Sequence, residues 1–157
     1  MKRFILLVLV LSAAAAAQPT CGPESIRGTY AISYLGWVSF TPPGGAPVTM
    51  PGTIFGVLSI GSDGKISGVG AVAGLGPVTD YDVWGTAEIK SDCTGTMRMR
   101  VKPKGGPDKG EVEIDRFVFL PEERMILTTI VDMGPGMYPA LLGTWKRISP
   151  VPNVANW

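Results

Sequence analysis

Within residues 94–117 (TGTMRMRVKPKGGPDKGEVEIDRF), apolar and charged residues alternate one for one over 97–102 and again over 111–115, which is the period of an extended strand. Basic residues alternate with Met97 and Met99 in the first half, and acidic residues alternate with Val112 and Ile114 in the second. A helix would need apolar residues at a spacing of about 3.6. No such spacing is sustained in the chain after its first residues, so the sequence predicts an all-β fold.

Short runs rich in Val, Ile, Thr, Tyr and Phe are separated by Gly, Pro and Asp clusters along the rest of the chain. We predict eight strands at roughly 28–40, 53–61, 65–74, 78–90, 95–103, 111–120, 125–133 and 141–149. Most links between them are short, which favours an antiparallel up-and-down meander. Closing that meander into an eight-stranded β-barrel removes the exposed edges that invite aggregation. The longest break, residues 41–52 (TPPGGAPVTMPG), and residues 134–139 are predicted to be loops that could cover the open end.

The charged stretch itself is interpreted as a hairpin with Val101 opposite Val112. This register predicts three opposite-charge pairs on the outer face: Arg100 with Glu113, Lys102 with Glu111, and Arg98 with Asp115. It predicts an inner face formed by Met97, Met99, Val101, Val112 and Ile114. Because the basic cluster would be neutralised by its neighbouring strand, we expect no nucleic-acid site there.

Continuing the same alternation places Arg116 inside the barrel and Phe117 and Phe119 outside, which is unusual. A β-bulge near Asp115 and Arg116 would return both phenylalanines to the core. The alternative is an arginine in the lumen, where it would need a carboxylate or an anionic ligand as partner. The bulge is the preferred interpretation, and the lumenal arginine is the sharper indication of function.

The first residues resemble a secretory signal peptide. Lys2 and Arg3 precede an apolar run and the alanines Ala13–Ala17, and the apolar segment is too short to span a membrane. We expect residues 1–17 to be cleaved and the protein to be secreted or periplasmic. Residues 18–150 would then form a single barrel domain and residues 151–157 a C-terminal tail. That mature chain would carry 12 basic and 13 acidic residues, because the leader holds two of the 14 basic residues.

Two cysteines, Cys21 and Cys93, remain in the predicted mature chain. Disulfides persist in exported proteins, so we predict that the two pair and tie the N-terminus to a point 72 residues further along. The alternatives are unpaired thiols or a cross-link between chains.

The sequence contains no histidine, which excludes Ser-His and Cys-His nucleophiles and histidine-based metal sites. Asp80 and Asp82 are the clearest pair of acids on one strand, and they lie on its polar face with Trp84. We therefore predict no catalytic residue, no metal and no cofactor.

Two segments carry a family resemblance. Residues 23–30 (PESIRGTY) run into a Gly-x-aromatic strand start, and residues 143–147 (GTWKR) place basic residues beside an aromatic on the last strand. This pattern resembles lipocalins and related calycins, in which a Gly-x-Trp opens the first strand and a basic side chain packs over that tryptophan. Here Tyr30 stands at the tryptophan position. The chain also resembles uncharacterised bacterial secreted proteins in the pattern RGTY, DGKISG and DCTGT, and the predicted barrel is similar in shape to allene oxide cyclase-like proteins.

The predicted function is the binding of a small, largely apolar ligand in the barrel mouth. The predicted ligand-binding residues are Tyr30, Tyr34, Met97, Met99 and Arg116. One alternative is a cyclase or isomerase of the allene oxide cyclase-like type, which would enclose a flexible substrate and fix its conformation. Another is a structural or interaction module with a filled core, in which an exterior Phe117 and Phe119 and the C-terminal tail would form an interface between copies of the chain.

Overall fold

A computed structural model describes residues 20–74, 77–108, 110 and 112–149. The predicted signal peptide and C-terminal tail lie outside these residues. A single helical turn, α1 (Pro23–Ile26), precedes eight strands. The strands are β1 (Gly28–Phe40), β2 (Val48–Ile60), β3 (Lys65–Ala73), β4 (Thr79–Ile89), β5 (Thr94–Pro103), β6 (Val112–Leu120), β7 (Met125–Asp132) and β8 (Met137–Ser149).

The eight strands form one closed antiparallel barrel. Each strand pairs with the next along the chain, and β8 returns to pair with β1. The prediction of an eight-stranded up-and-down barrel is therefore confirmed. Its physical basis is the two-residue period, because alternate side chains of each strand face the interior. Tyr30, Ile32, Tyr34 and Val38 of β1 are all buried, whereas Leu35 and Trp37 between them are exposed.

One end of the barrel is closed by the chain that leads into β1. Cys21 and Cys93 form the predicted disulfide, with their Cα atoms 5.0 Å apart, and the disulfide is consistent with an oxidising compartment. Ile26 of α1 is fully buried, and its carbonyl oxygen accepts a hydrogen bond of 2.6 Å from the Tyr30 hydroxyl. These contacts close the barrel at the end where β1 begins and leave the opposite end as its mouth.

The guanidinium of Arg147, on β8, covers Tyr30 at the closed end. Its carbon lies 5.4 Å from the centre of the Tyr30 ring and 5.6 Å from that of Phe119. The same group donates hydrogen bonds to the Tyr30 hydroxyl and to the carbonyl oxygen of Ser25. Cation–π packing and hydrogen bonding thus combine at a single side chain to hold α1 against the barrel.

Two strands are longer than the sequence predicted, which corrects the proposed lids. Residues 48–52 and 137–141 pair with residues 36–40 of β1 and form a three-stranded rim ribbon at the mouth end, in which Val38 and Leu141 are buried in the core. The described ladders of β3 and β7 do not reach this rim ribbon. The outer strands of the ribbon are edge strands, so they tolerate Pro51 and Pro139, which have no N–H to donate to a further strand. The same two prolines led to the prediction of loops in this part of the sequence.

The predicted register of the β5–β6 hairpin is wrong by one residue. Met99 lies opposite Glu113 and Met97 opposite Asp115, so β6 turns Glu113, Asp115, Phe117 and Phe119 inward. The expected pairing of Arg98 and Arg100 with these carboxylates does not form. The hairpin link does not decide this register; the burial of two phenylalanines does, at about 1.5–3 kcal/mol each.

A glycine on the neighbouring strand makes room for the first phenylalanine. Gly95 lies opposite Phe117, and a Cβ atom added there would overlap the Phe117 ring. The expected bulge within β6 is also absent. The register irregularity falls instead between β6 and β7, at Ile114 and Asp115, where Val131 of β7 has no partner in the ladder.

Candidate functional site

A cavity of about 120 Å³ occupies the mouth half of the barrel. We call it the mouth pocket. Most of the side chains that line it are apolar, among them Ile32, Ile54, Leu58, Val83, Met99 and Val101. Tyr34, Tyr81 and Glu113 supply the polar part of the lining. Met133 and Met137 lie at its outer edge, where β7 ends and β8 begins.

The predicted ligand-binding residues are not gathered in one place. Tyr34 and Met99 line the mouth pocket. Tyr30 and Met97 are fully buried but lie outside the lining, Tyr30 in the closed end beneath Arg147. Arg116 lies on the outer face of β6 and is exposed, so the lumenal arginine is not found.

The proposed exterior phenylalanines are also corrected. Phe117 and Phe119 belong to the buried core. The large apolar side chains exposed on the outer face include Leu35, Trp37 and Leu142, with Leu35 and Leu142 directly opposite each other on β1 and β8.

Two carboxyl groups, Glu113 and Asp115, are buried inside the barrel, although the predicted register placed them on the outer face. Glu113 is 8% exposed and lines the mouth pocket, and Asp115 is fully buried beneath it. They face inward because they share the strand face of Phe117 and Phe119. The signal was present in the sequence: residues 113, 115, 117 and 119 have the same parity, and two phenylalanines outweigh the preference of two acids for water. We call Glu113 and Asp115 the carboxyl pair.

Three strands contribute to a hydrogen-bonded network on Oδ2 of Asp115. The Tyr34 hydroxyl of β1 donates to this oxygen, and so does the Thr128 hydroxyl of β7, at 2.8 Å. The Trp145 indole of β8 donates to the Tyr34 hydroxyl oxygen at 2.8 Å. Gly143 makes this arrangement possible, because an added Cβ atom would overlap the Tyr34 ring.

The other oxygen of Asp115 differs from Oδ2. Oδ1 is buried and accepts no hydrogen bond from any fixed donor among the described residues. Burying an acceptor without a hydrogen bond costs about 1–3 kcal/mol of folding free energy. Its polar neighbour is the carboxyl group of Glu113, which can donate to it only when Glu113 is protonated.

Burial and mutual repulsion shape the protonation of the carboxyl pair. Burial, the charge of Asp115 and the hydrogen bond to it raise the pKa of Glu113 well above its usual value. Burial raises the pKa of Asp115 to about 6, against the opposing effect of the hydrogen bonds from Tyr34 and Thr128. Mutual repulsion therefore favours a single negative charge on the pair over two.

Tyr34 is kept neutral in this setting. Burial, followed by the nearby charges of Asp115 and Glu113, raises the pKa of its hydroxyl well above 10. The floor of the mouth pocket can therefore hold or transfer a proton at Glu113. Its negative charge can also pair with a positive charge on a ligand. No basic side chain is among the described residues that line the pocket.

The carboxyl pair is not part of a larger cluster of metal-binding side chains among the described residues. Within the described ranges, no three His, Cys, Asp or Glu side chains come together in a way that could hold a metal ion. The same part of the chain contains no helix long and apolar enough to cross a membrane.

No family model matches the chain, and a search of curated proteins found no match.

Proposed function

We propose that this protein binds a small, largely apolar ligand in the mouth pocket. The observation that carries the proposal is a cavity of about 120 Å³ in the half of the barrel opposite the end that α1 and the disulfide close. Barrels of eight strands either fill their interior with side chains or hold one small ligand. Here the closed half is filled by large side chains such as Trp145 and Tyr30, and the mouth half is not.

The volume indicates the size of the ligand. An engineered apolar cavity of about 150 Å³ binds benzene, so the mouth pocket suits a ligand with about one ring buried. A longer molecule could extend between Met133 and Met137 into solvent. Methionine side chains adapt to irregular shapes, which suits them to an edge that ligands of different length would cross.

Export and lipocalin-like ancestry are part of the proposal. The disulfide between Cys21 and Cys93 supports an extracellular or periplasmic location for the cleaved protein. The packing of Arg147 over Tyr30 supports the resemblance to lipocalins, since a basic residue of the last strand covers an aromatic ring of the first.

The methionines allow a direct test. In protein labelled with ¹³C at the methionine methyl groups, titration with 2-phenylethanol should shift the signals of Met99, Met133 and Met137 saturably. The signal of Met125, which does not line the pocket, provides the internal control.

A matched pair of variants locates the binding. Val101→Trp places an indole in the pocket and should weaken binding at least about tenfold, because the ligand and the new ring compete for one apolar volume. Val118→Trp adds the same ring to the outer face and should leave binding unchanged. Absence of saturable shifts in folded protein, or equal binding by the two variants, would contradict the proposal.

A further inference from the structure

We propose that the mouth pocket selects small apolar amines, with the ammonium group beside Glu113 and the apolar body against Met99 and the aliphatic wall. This inference rests on the proposed ligand-binding function and names the chemical class of the ligand. It is carried by the position of the carboxyl pair, by the uncompensated charge of that pair, and by the free hydrogen-bond acceptors of Glu113.

Glu113 lies in the wall of the mouth pocket. It lines the pocket while being 8% exposed, so any ligand that fills the mouth pocket contacts its carboxyl group out of bulk water. An ion pair in such a place is screened far less than one on the surface. Discrimination between charged and neutral ligands should therefore be strong.

The charge of the pair has no counter-ion in the part of the chain that the structure describes. None of its ion pairs involves Glu113 or Asp115. The neighbouring basic residues Arg98 and Arg100 point outward from β5, away from the pair. A ligand cation would supply the positive charge that the barrel interior lacks.

The hydrogen-bonding capacity of the pair favours an ammonium group over other cations. Glu113 lines the pocket and has only the neighbouring carboxyl as a polar partner among the described residues, so it can accept further hydrogen bonds from a ligand. A primary ammonium carries three donors, whereas a quaternary ammonium has none and an alcohol has one. A carboxylate ligand would meet a like charge and would be excluded.

The groups that face the pair determine how binding depends on pH. Tyr34 faces it from β1, Thr128 from β7, and the uncharged Met97 and Met99 from β5. Tyr34 stays neutral through the physiological range, and Tyr81 is the other titratable side chain of the lining. A change in amine affinity between about pH 8 and about pH 5 therefore reports protonation of the carboxyl pair itself.

The experiment compares three ligands of nearly equal shape: 2-phenylethylamine, 2-phenylethanol and phenylacetate. Each is titrated into the methionine-labelled protein at about pH 7.5. We expect the amine to bind at least about tenfold more tightly than the alcohol, and the carboxylate to bind more weakly than either. Lowering the pH to about 5 should remove most of the advantage of the amine and leave alcohol binding unchanged, because a second proton neutralises the pair.

The Glu113→Gln, Asp115→Asn double variant preserves the shapes of both side chains and removes the charge of the pair. In this variant the affinity for the amine should fall to that for the alcohol, with alcohol binding retained. Glu88→Gln removes a carboxylate at an exposed position on β4 and should alter neither affinity.

The outcomes separate the two proposals. Equal affinity of the wild-type protein for amine and alcohol, or an amine preference that survives both the double substitution and acidic pH, overturns the inference and leaves the ligand-binding function in place. Failure of all three ligands to bind overturns both.

Discussion

The indole N–H of Trp145 donates to the hydroxyl oxygen of Tyr34 at 2.8 Å, across the seam where the last strand meets the first. An indole can only donate, so the Tyr34 oxygen must accept and its own proton is left for Asp115. The direction of every bond in this chain is therefore fixed. Beneath the mouth pocket, Oδ2 of Asp115 accepts hydrogen bonds from two donors. These bonds stabilise the ionised form of the Asp115 carboxyl group.

Tyr34→Phe tests this network through stability. The substitution leaves the buried Trp145 N–H without its acceptor and removes one donor from Asp115, so the free energy of unfolding should fall by about 1–3 kcal/mol. Urea denaturation measures the change. Tyr138→Phe removes the same hydroxyl from a side chain that is 67% exposed and should alter stability by less than about 0.5 kcal/mol. Equal midpoints for the two variants would show that the network contributes nothing.

The carboxyl pair predicts an unusual pH dependence of stability. The pKa of Asp115 is about 6 in the folded protein, above its usual value of 3.8, so the folded state binds this proton more tightly than the unfolded chain. The associated stability is complete below about pH 4 and is lost as the pH rises through 6, at a cost of about 3 kcal/mol. The raised pKa of Glu113 extends the loss to higher pH.

Urea unfolding between about pH 4.5 and pH 8 should therefore show stability that falls with rising pH, opposite to ordinary acid denaturation. A Glu113→Gln, Asp115→Asn double variant should flatten this slope. A slope that persists in the double variant would assign the effect to other groups.

Arg147→Lys should loosen the closed end. Lysine keeps the charge but lacks the planar fork that donates to both Tyr30 and Ser25, and we expect a loss of about 1–3 kcal/mol in the free energy of unfolding. Arg116→Lys makes the same change at an exposed position on β6 and should be close to neutral. Thermal unfolding measures the difference: the midpoint of the Arg147→Lys variant should lie below that of the Arg116→Lys variant.

Reduction of the disulfide should destabilise the protein by about 4 kcal/mol in the loop-entropy description, because the link closes a loop of 72 residues. The midpoint of urea unfolding should fall when a reductant is added. A Cys21→Ser, Cys93→Ser variant should resemble the reduced protein and should not respond to reductant. A wild-type midpoint that reductant leaves unchanged, with complete reduction shown by mass, would contradict this expectation.

Most of the barrel could be predicted from the sequence, because alternation and turn residues are local signals. The rim ribbon could not, since Pro51 and Pro139 are typical of loops unless a strand is known to lie at an edge. The position of Glu113 was missed for a different reason. An acidic residue considered alone is expected to face solvent. The inward direction of Glu113 follows from the two phenylalanines four and six residues later, which lie on the same face of the strand and are buried. Tyr34 and Met99 face the barrel interior, as the alternation of their own strands predicted.

The two prolines of the rim ribbon also bear on self-association. In the rim ribbon the outer strands have no further ladder partner among the described strands, and a residue without an N–H interrupts the row of donors that sheet extension by a neighbouring molecule requires. Replacing Pro51 and Pro139 with valine would restore that row, and we expect it to promote fibrillar assembly. We therefore expect the residues that obscured these strands in the sequence to hinder strand addition between barrels.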